Sequence, residues 1–317
     1  MARTTVNSTS IDRLNGLSRW KLLLALSRTP HGLLDMATPG VAAVLALGAI
    51  PSPMIMALGL VTAFAGYTAV YALNDLVDYR NDREKIERIG PLSSGNDLDG
   101  VFVRHPMAQG LLKFREGLAW AVGWAVLTFF GAYILNPVCA LIFLMGCLLE
   151  ATYCLLLRVS HLRTVVSGAV KSSGGIAAVF AVDPHPSPLF LMTLFLWFFL
   201  WEIGGQNVPN DWVDLEEDRK LEARTIPVRL GPDGAMRVIG WCLGLAVGLS
   251  LALGWLAPQP LGVPFLFGVL LAGLYTLILP ALRLRKTKDP ADAAALFNRA
   301  SYYPLAMLLV TAIGSNL

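Results

Sequence analysis

The sequence predicts an all-α, polytopic membrane protein with nine transmembrane helices around a central cavity, and three observations carry that expectation. Residues of the AVILMFWYC set fill 55% of the 317 positions and charged residues only 15%, whereas soluble domains carry about a quarter charged. Apolar stretches long enough to cross a hydrocarbon core, about 17–25 residues, recur along the chain. The connections between them alternate in length and in basic charge.

The apolar stretches run over 33–50, 54–73, 117–135, 137–157, 164–182, 187–208, 235–257, 261–282 and 301–316. Connections at 51–53, 136, 183–188 and 258–260 hold no Lys or Arg; those at 74–116, 158–163, 209–234 and 283–300 are longer or basic. The basic side faces the cytoplasm, so the N-terminus and the second set of loops are expected inside, at the cell (inner) membrane, with the C-terminus on the far side. Residues 1–30 are polar and basic and lack an apolar core followed by a cleavage site, so the first helix serves as its own insertion signal. The whole chain, 1–317, reads as one transmembrane domain with a cytoplasmic tail at 1–26 and active-site loops at 74–116 and 209–234. The net charge of +3 is modest, and no nucleic-acid partner is expected. Cys139, Cys147, Cys154 and Cys242 lie inside apolar stretches without metal-ligand spacing and read as small core residues. The pairs Gly174-Gly175 and Gly204-Gly205 read as sites of close helix packing.

One repeat stands out. Residues 74–82 read Asn-Asp-Leu-Val-Asp-Tyr-Arg-Asn-Asp, and residues 210–218 read Asn-Asp-Trp-Val-Asp-Leu-Glu-Glu-Asp. Both follow NDxxDxxxD, and both lie where an apolar stretch runs out on the cytoplasmic side. On a helix, Asn74, Asp78 and Asp82 share one face with Asp75 beside them, and Asn210, Asp214 and Asp218 with Asp211 repeat the geometry. Like charges at this spacing repel, and carboxylates near lipid are costly, so each cluster calls for a cation. Oxygen-only donors select hard ions, and Mg²⁺ typically binds through one or two carboxylates plus substrate phosphates. Two facing clusters are therefore expected to hold Mg²⁺ with a diphosphate bridged between them, neutralising it as a leaving group.

Lys171, Glu150 and Glu202 are ionisable residues inside predicted spans, where charges face a cavity or a partner. Lys171 lies about 12 Å along its helix from Arg163 at 1.5 Å per residue, and reads either as a ligand for diphosphate or acceptor, or as the partner of Glu150 or Glu202. Glu202 precedes the second motif by two turns, a cavity position; Glu150 reads as structural. His31, His105, His161 and His185 are isolated and read as rim or loop residues. Trp197, Phe198, Phe199, Trp201 and Trp212 read as packing or interfacial anchors, with shielding of an allylic cation as the alternative.

The paired motifs closing the second and sixth of nine helices resemble the UbiA superfamily of intramembrane prenyltransferases, over roughly residues 20–317. Ser27-Arg28-Thr29-Pro30 before the first helix, Tyr153 followed by Leu157-Arg158, and Arg224-Thr225-Ile226-Pro227-Val228-Arg229-Leu230-Gly231 after the second motif are similar to segments of that family. The resemblance implies that Asp78, Asp82, Asp214 and Asp218 bind Mg²⁺-diphosphate with help from Asn74 and Asn210. It further implies that Lys85, Arg88, Arg158 and Arg28 hold phosphate oxygens, with Tyr153 beside them. The isoprenyl chain would lie among the helices. The family's Arg-Pro-x-x-Ser-Gly segment has two imperfect counterparts, Gly90-Pro91-Leu92-Ser93-Ser94-Gly95 and His105-Pro106-Met107-Ala108-Gln109-Gly110, separated by what reads as an insertion at 95–104.

The implied reaction is transfer of an isoprenyl group from an allylic diphosphate to an acceptor, of which an aromatic, quinone-precursor-like ring is the first choice by resemblance. A terpene cyclase of the same superfamily, working without an acceptor, is the alternative. A divalent-cation or phosphate transporter is a third, weakened by the location of both motifs at one membrane face.

Overall fold

A computed structural model describes residues 17–90, 98–259 and 261–314, and all of its regular elements are helical. A short helix α1 (Arg19–Leu26) leads into α2 (Thr29–Asp35) and α3 (Ala37–Leu47). The long α4 (Pro53–Val77) ends at the first motif and is followed by α5 (Tyr79–Ile89). Next come α6 (Phe114–Leu135), α7 (Pro137–Leu155), α8 (Arg163–Val182) and α9 (Pro188–Trp201). The second motif lies on α10 (Val208–Val213) and α11 (Leu215–Lys220). The rest is α12 (Ile226–Leu256), α13 (Val263–Gly273), α14 (Leu279–Thr287), α15 (Pro290–Ser301) and α16 (Tyr303–Gly314).

Local chemistry explains the helix starts. Pro53, Pro137, Pro188 and Pro290 each occupy a first turn, where the missing N–H is not needed and the fixed φ favours the helix. Asn136 and Asp289 cap their helices by accepting the N–H of Val138 at 2.9 Å and of Ala291 at 2.8 Å. Two wide, π-type turns, Glu202–Asn207 between α9 and α10 and Leu274–Ile278 between α13 and α14, each precede a proline, Pro209 and Pro280. A proline cannot donate to the carbonyl four residues back, and the ladder is widened just ahead of it.

Seven helical stretches among the described residues are long and apolar enough to span: Pro53–Val77, Phe114–Leu135, Pro137–Leu155, Arg163–Val182, Pro188–Val213, Ile226–Leu256 and Val263–Thr287. The expected stretch 33–50 is not one continuous helix: it falls on the end of α2 and on α3, parted at Met36. Of 301–316, Ser301 closes α15, 303–314 form α16, and 315–316 lie outside the described residues. Expected boundaries also move, since α12 begins at Ile226 rather than 235 and absorbs a kink at Gly231, whose φ of 66° favours glycine. Of the segments expected as active-site loops, 209–234 is largely helical, and the described part of 74–116 holds the end of α4, all of α5 and the start of α6. Large apolar side chains such as Val122, Val126 and Phe130 on α6, and Leu141, Leu144 and Leu148 on α7, face outward, as lipid-facing helices require.

Helices α4, α6, α7, α8, α9 and α12 pack in sequence neighbour to neighbour, and α3, α13 and α16 complete the assembly. Small residues allow the close approaches. A Cβ on Gly204 would stand 2.8 Å from the Cβ of Cys242, and one on Gly205 2.9 Å from that of Ala300, which supports the packing reading of this pair. Trp197, Phe198, Trp201 and Trp212 are fully buried in the core formed by α9, α12 and α15. Between the helices lies a cavity of about 650 Å³, acidic at the motifs and apolar along Pro39, Ala43, Ile55, Leu60, Ala132 and Phe143.

Candidate active site

The two motifs share a backbone feature that spacing alone does not predict. Asp78 ends α4 with φ −82° and ψ 1°, and Asp214 ends α10 with φ −90° and ψ 10°. Each motif is therefore bent at its middle aspartate rather than lying on one continuous helix. The i, i+4 hydrogen bonds survive the bend: Asp78 N–H donates to the Asn74 carbonyl and Asp82 N–H to that of Asp78, both at 2.9 Å, while Asp214 N–H and Asp218 N–H do the same at 3.3 and 2.8 Å. The carboxylates thus stay on one side, and the repeat holds in backbone as well as in sequence.

All eight motif residues line the cavity: Asn74, Asp75, Asp78, Asp82, Asn210, Asp211, Asp214 and Asp218. Arg28, Lys85, Tyr153 and Lys171 line it too. Lys85 joins the halves, its Nζ 3.1 Å from Asp214 Oδ2 and 2.5 Å from Glu217 Oε2. Arg28 donates to Asn74 Oδ1 at 3.0 Å and stands 3.4 Å from Asp75. Asn74 in turn donates to Glu150 at 2.6 Å, so Glu150 has the structural role expected of it and orients the first residue of the motif. Asn207 donates to the Tyr153 hydroxyl at 2.9 Å.

Arg88 and Arg158 do not line the cavity. Their side chains are 52% and 39% exposed, and both pair with Glu84 at 2.5 Å. Such exposed pairs contribute about 0–1 kcal/mol. Arg88→Ala and Arg158→Ala should therefore leave catalytic rates within a few-fold of the parent in a turnover assay, whereas Lys85→Ala should not.

Several site residues are not singled out by the sequence. Arg163 starts α8 and lies 3.7 Å from Asp211, with its guanidinium 3.9 Å above the Tyr153 ring. Asp99 pairs with Arg28 at 3.1 Å and with His31 at 2.5 Å. Arg104 reaches Asp214 at 3.3 Å, and His105 reaches Asp82 at 2.9 Å and Asp75 at 3.3 Å. His31 and His105 are thus site residues, not isolated rim histidines. Val103, Met107 and Leu112 pin this connection into a small core with Leu22 and Leu26 of α1. Of the counterparts to the family's Arg-Pro segment, the one at 105–110 crosses the site; the one at 90–95 lies outside the described residues from 91 onward, as do 95–97 of the expected insertion. Two of the four non-glycine residues with positive φ among the described residues, Arg28 at 44° and His105 at 49°, lie in the site; the conformation is uncommon for such residues.

Charge is unevenly matched. Burial alone would depress Lys85 and raise Asp214, but their mutual attraction, with Glu217 and Arg104 adding to it, holds the lysine charged and the aspartate below its usual range. Burial would likewise lower His105, yet Asp82 and Asp75 outweigh it and lift the imidazole to about 10. Burial followed by Asp82 raises Asp78, and burial followed by Asp214 raises Asp218. Asp78 and Asp218 are thus the carboxylates whose ionised form the protein itself leaves under-compensated. The buried Oδ2 of Asp211 and Oδ1 of Asn207 also lack hydrogen-bond partners. A hard cation fits this donor set: it is rich in oxygen, under-neutralised and partly unsatisfied.

The chain matches the UbiA prenyltransferase family over residues 36–302. It is 26% identical to a 4-hydroxybenzoate octaprenyltransferase of Yersinia enterocolitica over 298 residues, covering 92% of this chain and 95% of that one. In structure it is similar to a UbiA homolog from Aeropyrum pernix K1, with TM-score 0.69, 19% identity and coverage of 90% and 96%. It is also similar to a UbiA homolog from Archaeoglobus fulgidus bound to DMAPP and Mg²⁺, with TM-score 0.63, 17% identity and coverage of 90% and 99%. A helical membrane assembly enclosing one cavity with two bent aspartate motifs at its mouth, matched by family over most of its length, makes this chain an integral-membrane enzyme of the UbiA prenyltransferase family.

Proposed function

We propose that this enzyme transfers an isoprenyl group from an allylic diphosphate to an aromatic acceptor, with Mg²⁺ as cofactor. The observation that carries the reading is the pair of similarly bent NDxxDxxxD motifs lining one cavity that also has a long apolar wall. Asp78, Asp82, Asp214 and Asp218 are the metal-binding carboxylates, with Asp75, Asp211, Asn74 and Asn210 completing or orienting the set. These carboxylates would hold Mg²⁺, which when bound would supply positive charge against the departing diphosphate. Lys85, Arg28, Arg104 and Arg163 are placed to take the remaining phosphate oxygens, and burial strengthens each of those contacts. The apolar wall would seat the isoprenyl chain and keep water from the cation formed at its head. DMAPP and Mg²⁺ in the Archaeoglobus protein and the hydroxybenzoate acceptor named for the Yersinia protein support the substrate classes.

Detergent-purified protein given labelled geranyl diphosphate, Mg²⁺ and a panel of phenolic acids and esters should yield a prenylated ring and free diphosphate, and chelation should stop both. A cyclised hydrocarbon formed without acceptor would establish the cyclase alternative instead, and no consumption of the diphosphate would reject both. The orientation is read as N-terminus and motifs inside the cell. Single cysteines at 183–188 should then react with an impermeant reagent added from outside, and protection there would reverse the topology.

A further inference from the structure

Beyond the motifs, the same cavity is lined by a second group of polar side chains. His31 and Tyr71 stand near the first motif, while Tyr67, Lys171 and Glu202 lie roughly 10–14 Å further along their helices from Asn74, Arg163 and Asp211, at 1.5 Å per residue. Lys171 is already satisfied, since its Nζ donates to Asp35 at 2.7 Å and to the Tyr71 hydroxyl at 3.2 Å, and that hydroxyl donates to Asp35 at 2.5 Å. Glu202 is not. Its Oε1 accepts from Ser167 at 2.7 Å, but its Oε2 has no hydrogen-bond partner and stands 3.8 Å from Lys171. Glu202 is only 6% exposed, lines the cavity, and opens the π-type turn that precedes the second motif. The Tyr67 hydroxyl is also buried, with Thr38 as its near polar neighbour. π-type turns inside helices frequently mark functional positions, and a buried carboxylate oxygen without a donor is costly.

We infer that Glu202 is the acceptor-binding catalytic residue, that it takes an uncharged, hydroxyl-bearing aromatic acceptor, and that it receives the hydroxyl proton. The inference rests on the prenyl-transfer reading and adds the acceptor's charge and the base. Charge sets the class. The groups around Glu202 are Lys171 and Ser167 from α8, Asp35 and His31 from α2, Tyr67 from α4, Glu150 from α7 and Asp211 from α10. Lys171 lies against Asp35, Arg28 and His31 share Asp99, and Arg163 stands near Asp211, so with Glu150 and Glu202 the carboxylates outnumber the cations. An O–H donor completes Glu202, whereas a carboxylate on the acceptor would be repelled there. In the reaction, the C1–O bond breaks with its electron pair leaving on diphosphate. The ring carbon beside the hydroxyl supplies the pair for the new C–C bond, and the hydroxyl proton passes to Glu202, giving a ring ketone. Loss of the ring proton to water, with return of the proton from Glu202 to the ketone oxygen, restores the phenol.

The test compares 4-hydroxybenzoate with its methyl ester, using full-length protein, Mg²⁺ and labelled geranyl diphosphate, with binding of labelled ester measured separately. The ester should be prenylated with at least a ten-fold higher kcat/KM than the acid. Glu202→Gln keeps the Ser167 hydrogen bond and should retain the parent's thermal midpoint and affinity for prenyl diphosphate. It should nevertheless lose at least a hundred-fold in transfer to the ester, bind the ester more weakly, and narrow the gap between ester and acid. Preference for the acid, or near-parent transfer by Glu202→Gln, would overturn the inference. Ester binding that depends on Glu202 in a protein that never consumes prenyl diphosphate would uphold the acceptor site while removing the prenyl-transfer reading. Absence of ester binding would overturn the acceptor site itself.

Discussion

Asp78→Ala and Asp214→Ala should each abolish turnover, by well over 10²-fold, yet differ in what they do to the fold. Both remove a carboxylate that the bound diphosphate and its metal require, and electrostatic contributions in dry sites are worth factors of about 10²–10³ for a single donor. Among the described residues Asp78 forms no ion pair, and burial together with Asp82 raises its pKa. Removing it relieves repulsion, so the alanine variant should melt no lower than the parent. Asp214 is held by Lys85 and Arg104, and its removal leaves two cations half-matched, so Asp214→Ala should melt lower. Paired melting curves and initial rates read both effects. A folded, active Asp78→Ala protein would dismiss the two-motif site, and equal melting points would dismiss the asymmetry of its charges.

Lys171→Met should destabilise the protein severely. Lys171 is the buried centre of a pair with Asp35, whose side chain is fully inaccessible. Breaking a buried pair on one side typically costs about 3–5 kcal/mol, because the remaining charge is left uncompensated. Met matches the lysine stem and removes only the charge, so the loss reports the pair rather than a cavity. Lys171→Met combined with Asp35→Asn should recover most of the stability, whereas Lys171→Met combined with Glu150→Gln should not. The sequence reading named Glu150 and Glu202 as candidate partners; the structure puts Asp35 first at 2.7 Å, with Glu202 at 3.8 Å. A stable Lys171→Met variant would show that the pair contributes little to the fold.

The chain's own pattern determined the solvent, the helical class and the paired acidic motifs. Lipid admits only apolar helical spans of a set length, so nearly every span could be located from hydropathy. A nine-residue acidic pattern repeated at two helix ends needs a counter-cation wherever it lies, so the eight motif residues were legible before any coordinates. Only the tertiary structure decided which cations meet those acids. Arg88 and Arg158 looked equivalent to Lys85 along the chain, but whether a side chain points into the cavity depends on helix rotation, and only Lys85 reaches across to Asp214. Arg104, His105 and Asp99 belong to a connection without helical period, and their place over the motifs comes from the burial of Val103, Met107 and Leu112 against α1. The division of the first expected span between α2 and α3 also escaped hydropathy, which averages over a window and does not register a one-residue break. Asp35, acidic in an apolar stretch and matched only through space by a lysine 136 residues away, is the clearest case. Sequence states that a charge is buried, and packing alone states what neutralises it.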